Sequence, residues 1–247
     1  MRTAFYGLLF FMFLSPVAYA TNYEKYTNVS FSDLTKFSAH YKSIDLNDSK
    51  AFLSYLQATE CDIYNDVKDS LFKQQEVRQA ILQSYEATKG QDRELYFRVP
   101  AIFYVSSYNF DTQSFTLMLQ SQLKRVNNMD LLASNFQVCN NQYAGRLEKI
   151  PTSYTLKLNF PVSLYRIPLQ RNVAETLFSK LDTYYFDAKI RVIYGYIYVQ
   201  IEVIQPEIIE NLSRISATIR GQVNGIDLFI DKDRKNLLKR LDYADSF

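Results

Sequence analysis

Between residues 193 and 202 apolar and polar positions alternate, IYGYIYVQIE. On a strand, successive side chains point to opposite faces. Ile193, Ile197, Val199 and Ile201 then share one face, and Tyr194, Tyr196, Tyr198, Gln200 and Glu202 share the other. The aliphatic side has the character of a core face. The tyrosine side predicts either a binding platform or a second, wetter packing layer. The same alternation runs through ELYFRVPAIFYV, with Leu95, Phe97, Val99, Ala101, Phe103 and Val105 on one face and Tyr96, Arg98, Ile102 and Tyr104 on the other. Pro100 has no N–H to give a ladder, which predicts an edge or a bulge at that point.

Upstream the period is helical. Ser30 or Ser32 is placed to cap a helix bearing Leu34, Phe37 and Tyr41, and Asn47 or Asp48 to cap one bearing Phe52, Tyr55 and Leu56. CDIYNDVKDSLFKQQEVRQAILQSYEATKG predicts one long helix, or two meeting near Gln74, stopped by Gly90. SFTLMLQ and SYTLKLNF predict strands, the second with Tyr154, Leu156, Leu158 and Phe160 inward, and a short helix is expected around residues 128–134. RNVAETLFSKL returns to helical spacing, with Val173, Leu177 and Leu181 on one side. Asn224-Gly225 between alternating runs is a hairpin signal. DRKNLLKRLDY predicts a short basic helix near the end, with Leu237, Leu238 and Leu241 on one stripe. No stretch resembles an interdomain linker. The expectation is a single α+β domain over residues 21–247, helical over 30–90 and strand-rich over 93–247, with helices packed on a mainly antiparallel sheet.

The first residues set the compartment. In MRTAFYGLLFFMFLSPVAYA a lone Arg2 precedes an apolar run broken by Ser15-Pro16, and Ala18 and Ala20 stand where a signal peptidase inspects the chain. This predicts a signal peptide over residues 1–20. The run is shorter than the roughly 20 residues a spanning helix needs, and no transmembrane segment is expected after its removal. The mature protein is therefore expected to be soluble and periplasmic or secreted. Removing Arg2 from 28 basic residues leaves 27 against 26 acidic ones, so the mature chain lacks the basic footprint of a nucleic-acid binder. In an oxidising compartment Cys61 and Cys139 most simply pair. Two free buried thiols, or a cysteine nucleophile assisted by His40, are the alternatives.

Candidate chemistry is sparse. Asp62, Asp66 and Asp69 sit where acids complement a helix dipole, and no histidine or further acid cluster completes a metal site around them. Asp231 and Asp233 resemble the start of a calcium loop, but Lys235-Asn236 stands where its glycine should follow. One histidine and two cysteines argue against a dedicated zinc site, and no cofactor motif is present. There is no nucleophile elbow either, which favours a non-enzymatic reading. The best candidate surface is the tyrosine face: Tyr96, Arg98, Tyr104, Tyr194, Tyr196, Tyr198, Gln200 and Glu202. Tyrosine offers a flat apolar body and a hydroxyl, suited to an envelope protein, a peptide or a glycan. The alternative is a cell-envelope hydrolase acting on glycan or peptide with carboxylate acid and base residues.

The stretches FYVSSYNFDTQSFTL and RIPLQRNVAETLFSKL resemble an uncharacterised family of secreted bacterial domains of unknown function. That resemblance spans most of the mature chain and implies no activity, ligand or catalytic residue.

Overall fold

The computed structural model describes residues 23–89, 95–119, 128–132, 137–159, 165–184, 187–211 and 214–242. The expected leader, the stop at Gly90 and the inward Phe160 lie outside these residues.

Helices α1 (Phe31–His40) and α2 (Ser49–Thr59) begin at two of the expected caps. Ser30 Oγ accepts from the Asp33 amide, and Asp48 accepts from the amides of Lys50 and Ala51, so amides left over at each helix start are satisfied. The long helical stretch divides into α3 (Cys61–Val67) and α4 (Leu71–Ala87). The break falls at residues 68–70, not at Gln74. Ser70 caps the new helix, while the buried Gln74 carboxamide turns back and donates to the carbonyls of Val67 and Lys68 at 3.1 and 2.9 Å. Gln74 therefore ties the two helices together. Helix α5 (Arg171–Lys180) lies within the strand-rich part, so the helices are not confined to the front of the chain.

The strands form one sheet. Its spine is β2 (Leu95–Val105), β8 (Asp187–Ile201) and β10 (Arg214–Phe229). Beyond β10 lie β5 (Ser153–Leu158) and then β4 (Asn128–Leu132); beyond β2 lie β3 (Ser114–Leu119) and β6 (Tyr165–Pro168). Short strands β1 (Thr27–Asn28), β7 (Thr183–Tyr184), β9 (Glu207–Asn211) and β11 (Leu237–Asp242) pair with β2, β8, β10 and β10 respectively. The expected mainly antiparallel sheet is corrected to a mixed one: β1 runs parallel to β2, and β5 runs parallel to β10. The α+β class stands. Pro100 sits where β2 lacks a described neighbour on the side away from β8, between its pairings with β1 and β3. That gap accommodates its missing N–H.

Three local expectations change. Residues 128–132 form a strand rather than a helix: Met129 and Leu131 are buried and Asn128 and Asp130 exposed, a period of two that β5 can pair. The leucine-bearing tail is also a strand, because the free edge of β10 offers β11 a complete ladder and tertiary pairing overrides a weak helical stripe. Asn224-Gly225 is not a hairpin turn. Strand β10 runs straight through it, and the register against β8 slips there, with Val223 opposite Val199 and Gly225 opposite Tyr198. Asn224 is the extra residue of a bulge.

That bulge keeps the two faces pure. Before it, Ala217, Ile219 and Val223 point to the core; after it, Ile226 and Leu228 do, and Asp227 is released to the other side. The core face joins these residues to Phe97, Val99, Phe103, Ile193, Ile197 and Val199, and the helices cover it through Phe31, Leu34, Phe37, Phe52 and Leu56. Fully burying each such side chain contributes about 1.5–3 kcal/mol. Gly195 lies on this face because a Cβ there would stand 2.8 Å from the Phe103 ring and 2.7 Å from the Asp227 carbonyl oxygen.

Candidate functional site

The face opposite the helices is where the two tyrosine-bearing patterns meet. Antiparallel register sets Tyr96 opposite Gln200, Arg98 opposite Tyr198, and Pro100 opposite Tyr196. Gln222 of β10 extends the row opposite Gln200. Seven of the eight residues picked from sequence, all but Tyr104, cluster along this part of the face. Tyr104 lies further along β2 opposite Val192, and it is buried, as is Tyr198. Those two belong to the packing layer. Tyr96, Arg98, Tyr194, Tyr196, Gln200 and Glu202 are half-buried and reach solvent.

The chain immediately before α1 crosses this face. A turn at Tyr23–Lys25 carries Tyr23 onto Tyr198 with ring centroids 4.2 Å apart, and Tyr26 stands edge-on to both Tyr198 and Tyr96. The Tyr23 hydroxyl donates to the carboxylate of Asp242, and the Asn224 side chain donates to the Tyr26 hydroxyl at 2.8 Å. Gly225 makes this seat possible, because a Cβ there would stand 2.2 Å from the Tyr23 hydroxyl. The bulge therefore serves the strap twice, with Asn224 as a donor and Gly225 as a clearance.

Beneath the strap lies a buried polar centre. Asp227 is only 3% exposed; Arg240 donates to it from Nε and Nη2 at 2.6 Å each, and the Tyr198 hydroxyl donates at 2.8 Å. A two-pronged guanidinium bond of this kind satisfies a buried carboxylate. Burial, and then the Asp227 charge, push the Tyr198 phenol well above its ordinary range. The bonds to Asp227 hold Arg240 still more firmly protonated. Burial also raises the phenols of Tyr26 and Tyr194; at Tyr194 the Asp182 carboxylate, which accepts its hydroxyl at 3.1 Å, adds to the effect.

On the strap and beyond it, cations lie against the rings. The Lys25 ammonium is 3.5 Å from the centroid of Tyr96. The guanidiniums of Arg98 and Arg234 lie 5.2 and 4.9 Å from the Tyr196 centroid, with Phe229 edge-on at 6.0 Å. Each contact of this kind contributes about 0.5–1 kcal/mol at an exposed site. Arg234 is delivered by the turn between β10 and β11, where the Asp231 carboxylate accepts the amides of Lys235 and Asn236 and Arg234 takes a left-handed φ of 55°. The role of Asp231 is therefore to close a turn; the backbone amides it accepts hold its carboxyl below the usual range. Sequence reasoning missed Tyr23, Tyr26, Asp227, Arg234 and Arg240, of which the last two were assigned to a tail helix.

The other candidates resolve simply. Cys61 and Cys139 are bonded to each other, which removes a cysteine nucleophile. Asp66 pairs with Lys73 at 2.8 Å. Among the described residues no group of three or more histidine, cysteine or acidic side chains is placed to hold a metal, and no helix is long and apolar enough to cross a membrane. A separate cavity of about 750 Å³ opens between the end of α1 and the last turns of α4, with Ile44, Leu46, Leu82 and Tyr85 in its wall and His40 at its side. Lys42 and Lys89 at its margin share the Glu86 carboxylate, which lowers that carboxyl.

Fold and site together define an α+β protein with a helix-covered core face and an aromatic, cation-bearing face on one mixed sheet. The family model described as "Domain of unknown function (DUF4852)" matches residues 48–180, and the chain belongs to that family. No curated protein and no solved structure matches the chain. The matched span contains Tyr96, Arg98, Tyr104 and both cysteines, but it stops before β8, β10 and β11, which build most of the face.

Proposed function

We propose that this is a secreted or periplasmic binding protein, freed from a leader at residues 1–20, whose ligand surface is the tyrosine face of the sheet. One observation carries the reading. Tyr196 is half-buried, its hydroxyl has no hydrogen-bond partner among the described residues, and the two arginines against its ring lack carboxylate partners there. Side chains that merely pack a second layer find partners, as Tyr198 and Asp227 do. The Cys61–Cys139 bond is compatible with an oxidising compartment.

Cross-linking in cells that produce the full chain, followed by pull-down, tests this assignment. Wild type is expected to recover a protein, peptide or glycan partner that the Tyr196→Ala variant loses while keeping its thermal midpoint. Equal recovery by both would remove Tyr196 from the binding surface.

A further inference from the structure

The tyrosine rings are not bare stacking platforms. Lys25 lies on Tyr96, Tyr23 on Tyr198, Arg240 on Tyr23 at 4.6 Å, and Arg98 and Arg234 on Tyr196. A ligand at this face meets cations as well as rings. Arg240 is neutralised by Asp227. Lys25, Arg98 and Arg234 have no carboxylate within ion-pair distance among the described residues: Arg98 uses Nε on the Asn28 side chain, and Arg234 uses Nε and Nη1 on the carbonyls of Gly195 and Lys232. Both terminal nitrogens of Arg98 and Nη2 of Arg234 remain available as donors.

These three cations form a file rather than a point. Tyr96, under Lys25, is level with Gln200, and Arg234 lies against Tyr196 and Tyr194. From Gln200 to Tyr194 is roughly 20 Å at the rise of a strand. The acidic side chains of Glu202 on one side and Asp182, bound to the Tyr194 hydroxyl, on the other bound the file. Interspersed with the cations are neutral groups with no hydrogen-bond partner among the described residues, the amides of Gln200 and Gln222 and the hydroxyl of Tyr196. Guanidiniums bind carboxylates in pairs of parallel hydrogen bonds. Amides and phenols serve hydroxyl groups. A chain that carries carboxylates at intervals and hydroxyls between them satisfies both sets.

Resting on the binding-face reading above, we infer that the ligand is an acidic glycan, a polysaccharide bearing carboxylate groups, laid along the file from Lys25 through Arg98 to Arg234. The cation–ring contacts hold the guanidiniums in place before the ligand arrives, so little side-chain freedom is lost on binding.

The test is calorimetric titration of the full-length secreted protein with polygalacturonate, its fully methyl-esterified form and inorganic polyphosphate. Polygalacturonate should bind, with affinity falling as salt rises, and the ester should not. Arg98→Gln and Arg234→Gln should each weaken binding about tenfold or more, and the exposed Lys25→Gln less, with circular dichroism showing each variant folded. Binding of the ester as tightly as the acid would overturn the inference, and so would preference for polyphosphate. If no polyanion binds while Tyr196→Ala still abolishes partner recovery in cells, the glycan assignment fails and the binding face survives. If Tyr196→Ala changes nothing in cells but polygalacturonate binds through the arginines, the face binds anions and the partner assay addressed another surface.

Discussion

At the scale of single residues the molecule separates tyrosines that work as core from tyrosines that reach solvent. Tyr154 is the clearest core case. It is fully buried, packs edge-on to Phe31, and donates to the Thr35 hydroxyl at 3.2 Å. Burial pushes its phenol up to about 12. An unfolded chain releases that proton near pH 10, whereas the folded chain holds it to about 12, so the folded state binds more protons in that window and stability falls as pH rises through it. The stabilisation is fully present below pH 10, and the loss by pH 12 amounts to roughly 2–3 kcal/mol from this residue. Tyr154→Phe removes the titration together with the hydrogen bond. Urea unfolding at pH 7 should show the variant less stable by about 1 kcal/mol, and at pH 11 the difference should shrink or reverse. A constant difference at both pH values would mean that Tyr154 does not titrate in the unfolded state differently from the folded one.

At the scale of elements, the bulge in β10 joins the N-terminal strap to the sheet, and it can be tested by a double-mutant cycle. Gly225→Ala would press a methyl group onto the Tyr23 hydroxyl, and onto the Leu241 carbonyl oxygen at 3.0 Å. Overpacking of this kind costs about 1–3 kcal/mol. In a Tyr23→Ala background the hydroxyl is gone and the penalty should drop by about half or more, a coupling that thermal or urea unfolding of the four proteins measures. Additive effects would place the strain at Leu241 instead. The same bulge shows what was legible in the sequence. The alternation in β2 and β8 fixed both faces correctly, because side-chain period on a strand is purely geometric. Asn224-Gly225 misled, because a residue pair suited to a tight turn is also suited to a bulge, and only the partner strand decides between them. Residues 237–242 misled for a related reason: leucines at helical spacing carry no information about a free sheet edge waiting beside them. Arg234 and Arg240 were hidden by that error, and Tyr23 and Tyr26 by their place in the short stretch ahead of α1, where no periodicity marks them. Asp227 could have been found. It is the one acidic side chain in the apolar run GIDLFI, and a lone charge at such a position demands a buried partner.

At the scale of the whole molecule, the Cys61–Cys139 bond joins the helical front to the segment between β4 and β5 across a sequence separation of 78. Other contacts hold the same junction. The Asn140 side chain donates to Asn65 at 3.1 Å, Gln57 donates to Gln142 at 2.8 Å, and Asn140 and Asn141 both adopt left-handed φ to present that turn. A cross-link closing a loop of this size stabilises by about 4–5 kcal/mol if it acts only on the unfolded chain. Typical domains have only about 5–15 kcal/mol in total, so its loss would remove a large share of the margin. Cys61→Ser/Cys139→Ser, or the wild type in reductant, should therefore unfold at a clearly lower urea concentration. The amide contacts act in the folded state and remain in the reduced protein, so a native circular dichroism spectrum in the absence of denaturant should survive even as the midpoint falls. The strap and the cation file lie on the opposite face from the helices, and a reduced but folded protein should bind polygalacturonate as the oxidised one does. An unchanged midpoint would mean that the amide contacts alone hold the junction. A lowered midpoint with binding intact would separate the two parts of the molecule: the bond secures the fold, and the proposed binding face works independently of it.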